Sequence, residues 1–219
     1  SSAYFWEERN QWFSDIWLDL KGARQQLLDN KTRKRSGAFP FELPYRLVNM
    51  YSVKGDTVLD PFAGMGTTMF AAMASGRNSK GCEIEKDFHP AICEKAEQIV
   101  SFANRRIEER LQRHLDFVAE REAEKGPLKH VNTHYGFAVM TRQETELTLE
   151  PLKAVEKKGE SRFEVTYKKA TAGQVKAAGG PQIKQDKAAS DPPVDEKADP
   201  DAPPAAVENG PVQQTLFDS

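Results

Sequence analysis

The chain has 219 residues, enough for one domain and a tail. Its net charge of −2 makes no global case for a polyanionic partner, so any nucleic-acid contact must come from local basic patches. The two cysteines, Cys82 and Cys93, lack metal-ligand spacing and no apolar run reaches membrane-spanning length, so neither a metal site nor a membrane span is expected, and the few unpatterned cysteines fit a reducing cytoplasm.

The sequence opens Ser1-Ser2-Ala3, without an initiator methionine or a visible signal peptide, and reads as though something upstream were missing. Tyr4 to Trp17 then carries three tryptophans and three further aromatics amid charge. An amphipathic stretch of this kind is expected to bury its rings against a partner surface. A stacking platform for nucleic acid fits less well, because Glu7, Glu8 and Asp15 oppose phosphate. The next loop holds the densest basic run, Lys31, Arg33, Lys34 and Arg35. It is either a solvated loop or a contact to the DNA backbone.

Ser36-Gly37-Ala38-Phe39-Pro40-Phe41-Glu42-Leu43-Pro44 follows. Pro44 suits the first turn of a helix, and Leu43, Leu47, Met50 and Tyr51 recur at helical spacing until Gly55-Asp56. Of Phe39 and Phe41, one is expected in the core. Thr57-Val58-Leu59 then reads as a strand that ends in Asp60, turns through glycines and enters a helix. A strand, turn and helix N-terminus in that order build a pocket at the carboxyl end of the strand. Gly64 and Gly66 let the backbone approach a ligand, and Thr67 or Thr68 is the expected N-cap. A phosphate loop would need lysine where Thr67 stands, and a dinucleotide fingerprint would need glycine where Met69 stands.

Met69 to Ser75 is small and apolar, as a helix packed tightly on a sheet must be, and Gly76 ends it. Ser79 to Glu85 reads as a second strand with an acid at its end, suited to accept both ribose hydroxyl protons of an adenosine. Glu83 and Glu85 are the candidates.

These residues carry a resemblance. The run Asp60-Pro61-Phe62-x-Gly64-x-Gly66-Thr67-Thr68, preceded by Ser36-x-x-Phe39-Pro40-x-x-Leu43, resembles the cofactor half of DNA amino-methyltransferases, which methylate adenine N6 or cytosine N4. The order of the two motifs matches the subgroup whose catalytic motif precedes the cofactor half. The resemblance covers about residues 1 to 125 and implies an α/β, Rossmann-like methyltransferase fold binding S-adenosylmethionine. It implies cofactor contacts from Phe39, Pro40, Asp60, Phe62, Gly64, Gly66, Thr67 and Thr68. It also selects Glu83 as the ribose-binding acid, leaving Glu85 as the alternative.

Such enzymes flip the target base out of double-stranded DNA and activate its amine with Asp, Asn or Ser followed by Pro-Pro and an aromatic residue. No such tetrad stands in the expected folded part. Asp191-Pro192-Pro193-Val194 ends in a side chain that cannot stack, and Asp60-Pro61-Phe62 belongs to the cofactor loop. No catalytic residue is therefore assigned in this chain; catalysis is expected from residues upstream of Ser1 or from another polypeptide. A truncated parallel sheet of this kind is expected to expose an apolar edge and to be poorly soluble alone.

From His89 the pattern is strongly helical up to Gly126-Pro127, a run of about 50 Å at 1.5 Å per residue. Its first half is expected to cover the sheet and its second half to kink or project. There Arg105, Arg106, Arg110 and Arg113 alternate with Glu108 and Glu109, reading as a salt-bridged solvent face. Residues 126–170 form an accessory region with short strands expected at Tyr135–Val139, Glu146–Leu149 and Phe163–Tyr167.

Residues 171–219 are rich in Ala, Pro, Lys and Asp and are expected to be a disordered tail. Its end, Gln213-Gln214-Thr215-Leu216-Phe217, resembles peptides that dock on replication sliding clamps. A restriction nuclease is a further possible partner. The competing class is a non-catalytic adaptor that binds one partner through the Tyr4–Trp17 aromatics and a clamp through the tail. An RNA or protein methyltransferase is a third reading.

Overall fold

The computed structural model describes residues 3–20, 39–177 and 212–216. The fold is mixed α/β, with a five-stranded sheet and a separate two-stranded one. In the larger sheet β1 (Thr57–Asp60) pairs in parallel with β2 (Asn78–Gly81), and α3 (Thr67–Ser75) connects them. A parallel pair requires such a crossover, and the helix must then lie on one face of the sheet. The composition of α3 suits that position. Every residue from Met69 to Ser75 is buried, and its alanines allow close approach to the strands and neighbouring helices. Gly76 ends the helix in the left-handed region at φ +73°, where a side chain would be strained.

α2 (Glu42–Tyr51) packs on α3, with Phe41 buried ahead of it and Phe39 partly exposed. Among the described residues β1 is one of the two edge strands of the sheet, and its Leu59 is 67% exposed. The apolar edge expected from sequence is therefore present. Beside it, Phe39, Leu43, Leu47, Tyr51, Val58 and Thr68 line an open groove of about 530 Å³.

α4 (Phe88–Lys125) is a single helix of 38 residues. Its buried residues Ile92, Ala96, Ile99, Ala103, Ile107, Leu111 and Val118 form one stripe, and that stripe serves two cores. The first half packs with α2, α3, Trp12, Leu152, Phe163 and Val165. The second half does not project unsupported: Ile107 and Leu111 enclose a second cluster with Phe5, Tyr135, Phe137, Val139, Leu147 and Leu149.

Several expectations are corrected here. Phe5 and Trp12, flanking or within α1 (Trp6–Trp12), are buried in this chain's own cores and not against a partner. Arg110 is fully buried, not on a solvent face: its guanidinium donates to both carboxylate oxygens of Glu8 at 2.6 and 2.7 Å, to Tyr45 Oη and to Ala3 O. Arg106 donates to Glu42 from a partly buried position. In the accessory region β3 (His130–Val131) and β4 (Ala138–Val139) form the small sheet, while β5 (Leu152–Lys157) and β6 (Arg162–Tyr167) form a hairpin within the large one. Glu146–Leu149 is not a strand; Leu147 and Leu149 are instead buried in the second core from an irregular segment.

The tail expectation also changes. Ala172–Ala177 forms α5, and Val212–Leu216 forms β7. β7 lies between β2 and β6, parallel to the first and antiparallel to the second. Most of the clamp-like peptide is thus a central strand, with its backbone paired on both sides. Phe217 lies outside the described residues, as do Lys31, Arg33, Lys34, Arg35 and Asp191–Val194.

Candidate cofactor-binding site

The turn after β1 is closed by its own polar groups. Asp60 Oδ1 accepts from the backbone N–H of Phe62 at 3.0 Å, which fixes the exit of the strand. Across the parallel pair, Cys82 N–H donates to Asp60 O and Ala63 N–H donates to Cys82 O, both at 2.9 Å. These bonds tie the loop after β1 to the loop after β2. Glu83 completes the link: its Oε2 accepts from Gly64 N–H at 2.6 Å, and its Oε1 accepts from Glu85 N–H at 2.8 Å.

The strand is shorter than its sequence suggests. β2 ends at Gly81, so Glu83 stands in the loop beyond it rather than on a strand, and Glu85 assists through its backbone. Glu83 nevertheless sits across from the glycine turn, bonded to Gly64 N–H.

The two glycines divide the work. Both have positive φ, +54° at Gly64 and +75° at Gly66. A Cβ at Gly64 would meet nothing nearer than Phe62 O at 3.9 Å, so its outer side is open. A Cβ at Gly66 would come within 3.4 Å of Ile92 Cγ2 and Met69 Cε. Gly66 is needed for its backbone angle and for close approach of α4, while the space beside Gly64 is open. Gly66, and neither Thr67 nor Thr68, is also the N-cap of α3. Thr67 and Thr68 occupy its first turn, where backbone N–H groups lack an intrahelical partner and the helix dipole favours negative charge.

Two apolar side chains flank this turn. Phe62 is 87% exposed and Ile84, between Glu83 and Glu85, is 97% exposed. Ile84 was not singled out by the sequence reading, because a strand through Glu85 would have placed it within the sheet. The early end of β2 is the signal that sets it free. Phe39 lines the groove at the start of β1, with Thr68 as the shared lining residue between groove and helix N-terminus, while Pro40, the next residue, is not among those lining it. Gly64, Gly66 and Glu83 are not among the residues lining that groove. Among the described residues no cluster of His, Cys, Asp or Glu could hold a metal ion, and no helix is long and apolar enough to cross a membrane.

Residues 1–94 match the family model described as DNA methylase. That stretch is similar to the DNA methylase family. Curated relatives extend the similarity beyond it. The chain is 45% identical over 166 residues to the Type II methyltransferase M.MthZI of Methanothermobacter thermautotrophicus, covering 76% of this chain and 45% of that protein. Against the Type II methyltransferase M.MjaI of Methanocaldococcus jannaschii it is 50% identical over 95 residues, covering 43% of this chain and 30% of the relative. A third relative, the Type II methyltransferase M.BglI of Bacillus subtilis, is 31% identical over 120 residues, or 55% of this chain and 29% of its own length. The chain thus spans under half the length of these relatives. No solved structure matches it.

Proposed function

We propose that this chain supplies the S-adenosylmethionine-binding part of a cytoplasmic DNA methyltransferase, with a Rossmann-like sheet, that acts on adenine N6 or cytosine N4. The observation that carries the reading is Glu83 set across the parallel pair from an open Gly64, 2.6 Å from its N–H. That arrangement fits the nucleoside. A carboxylate accepts protons from two vicinal ribose hydroxyls, and a turn without Cβ lets the sugar approach the backbone. Ile84 and Phe62 offer apolar contact to a purine, and the first turn of α3, with Thr67 and Thr68, favours the donor's carboxylate. Asp60 holds the turn's shape through Phe62 N–H, and Phe39 with Pro40 walls the amino-acid end.

When bound, the donor supplies a sulfonium-activated methyl group. In-line placement of an amine near that methyl is a matter of positioning, and this chain's contribution is to hold the donor's sugar and amino-acid ends. No catalytic residue is assigned to it. The substrate is double-stranded DNA with its target base flipped out, and Lys31, Arg33, Lys34 and Arg35 are the candidates for backbone contact. The adaptor reading is weakened because the rings it would use for docking, Phe5 and Trp12, are buried in this chain's own cores.

Photolabelling with tritiated S-adenosylmethionine tests the proposal. Label should appear in peptides spanning residues 57–66 or 82–86 and be competed by S-adenosylhomocysteine but not by ATP. Label elsewhere, or label that no nucleoside competes, would contradict it.

A further inference from the structure

The three parallel strands β1, β2 and β7 end together at one edge of the sheet. The register pairs Asp60 with Gly81, and Gly81 in turn with Leu216. That edge carries the glycine turn and Glu83. β2 has only four residues, and three of them, Ser79 to Gly81, pair with Gln214 to Leu216 on the side away from β1. Glu83 departs two residues after the last pair. On its other side, β7 pairs with β6 from Val165↔Val212 to Arg162↔Thr215. Among the described residues β7 is therefore the one strand joining the parallel pair to the β5–β6 hairpin. Without it β2 would present a free edge, and the loop bearing Glu83 would be held from the β1 side alone.

We propose that β7 is a positioning element of the cofactor site: it fixes the end of β2 from which Glu83 departs, so strand docking and donor binding reinforce each other. This rests on the donor-binding reading above. A coupling of this kind is reciprocal, so the donor must strengthen strand docking by the factor by which docking strengthens donor affinity. Any partner that captured Gln213–Leu216 as an extended peptide would have to withdraw the strand, and would weaken donor binding.

The test uses the full chain in two forms. In the first, Gln214→Pro breaks the β7 ladder by removing a backbone donor and restricting φ. Calorimetry with S-adenosylmethionine should show an affinity at least about tenfold lower than for the unmodified chain. The second form needs no disruptive residue. Lys80→Cys with Thr215→Cys places cysteines at paired positions, in a background where Cys82 and Cys93 are serine. Oxidation should cross-link this pair, an offset Lys80→Cys/Gln213→Cys pair should not react comparably, and saturating donor should speed the in-register reaction several-fold.

Equal cross-linking of both pairs would show that β7 is not docked in this register. Cross-linking in register at a rate the donor leaves unchanged would overturn the coupling, even if the proline variant failed to fold. Should the unmodified chain bind no donor, the proposal falls together with the reading it rests on. Donor binding by the unmodified chain that Gln214→Pro leaves intact would overturn this inference alone.

Discussion

The two ends of α4 support regions built on opposite principles. Near its start lies the glycine turn of the proposed site, assembled from residues close in sequence: Asp60 bonds to Phe62, and Glu83 to Glu85 and Gly64. Around its second half lies a core assembled from distant ones. Glu8 pairs with Arg110, Glu144 Oε1 accepts from Trp6 N–H at 2.8 Å, and His114, stacked on Phe5, faces Glu7 and the carbonyl of Ala138. The first region is open, polar and exposed at Phe62 and Ile84. The second is closed, and its Glu8–Arg110 pair is buried. The contrast teaches that the residues most visible in the sequence are those of the proposed site, while those holding the scaffold are visible only once the chain has folded.

That division predicts a separation of effects, and the largest should fall on the scaffold. Arg110→Ala leaves Glu8 buried without its cation and should cost about 3–5 kcal/mol in chemical denaturation. Replacing both partners by Leu and Met should recover most of that loss. A single substitution that left the denaturation midpoint unchanged would break the comparison from the scaffold side.

Gly66→Ala should be intermediate and affect both properties. Its φ of +75° and the 3.4 Å approach to Ile92 predict about 1–2 kcal/mol of strain, with weaker donor binding because the turn moves. Gly64→Ala shares the backbone penalty but meets open space, so its effect on donor affinity should exceed its effect on packing. If the two alanine variants proved indistinguishable in both assays, the division of roles between these glycines would be wrong.

The pH response should follow the scaffold. Burial opposes ionisation of Glu8, but the charge and hydrogen bonds of Arg110 outweigh it and hold the carboxyl below its ordinary 4.5. A lowered folded pKa contributes stability that is fully present above the unfolded value and is lost as pH falls through the folded one. Melting temperature should therefore drop below about pH 4.5, and Glu8→Gln should flatten that drop. At the small end, Leu59→Lys on the exposed β1 edge should shift stability by no more than about 0.5 kcal/mol. It should reduce concentration-dependent scattering, because a charge on an open strand edge opposes strand-to-strand association.

Much of the site was legible because its signals are short in range. Asp60, Gly64 and Gly66 mark a strand-to-helix turn whatever surrounds it, and Glu83 follows within one crossover unit. The helices over 42–51 and 67–75 were legible from their periodicity and their terminal glycine. Three features were not. The buried Arg110 looked like its surface neighbours, because the charge that decides its burial, Glu8, lies 102 residues away. Leu147 and Leu149 alternate like a strand yet enter the core from an irregular segment, since their carbonyls find side chains instead of a ladder: Asn132 Nδ2 donates to Leu147 O, and Tyr135 Oη to Leu149 O. Val212–Leu216 looked like the end of a tail because its local composition carries no information about a slot between β2 and β6. Each omission is a long-range contact, and no window of local sequence contains one.

Calorimetric titration of S-adenosylmethionine into the chain and into its Glu83→Gln variant addresses the central claim most directly. One saturable site in the parent, weakened at least about tenfold in a variant whose thermal melt is unchanged, is the result expected for loss of a charged hydrogen-bond acceptor. Equal affinities in the two proteins, or no saturable heat in the parent, would contradict the account.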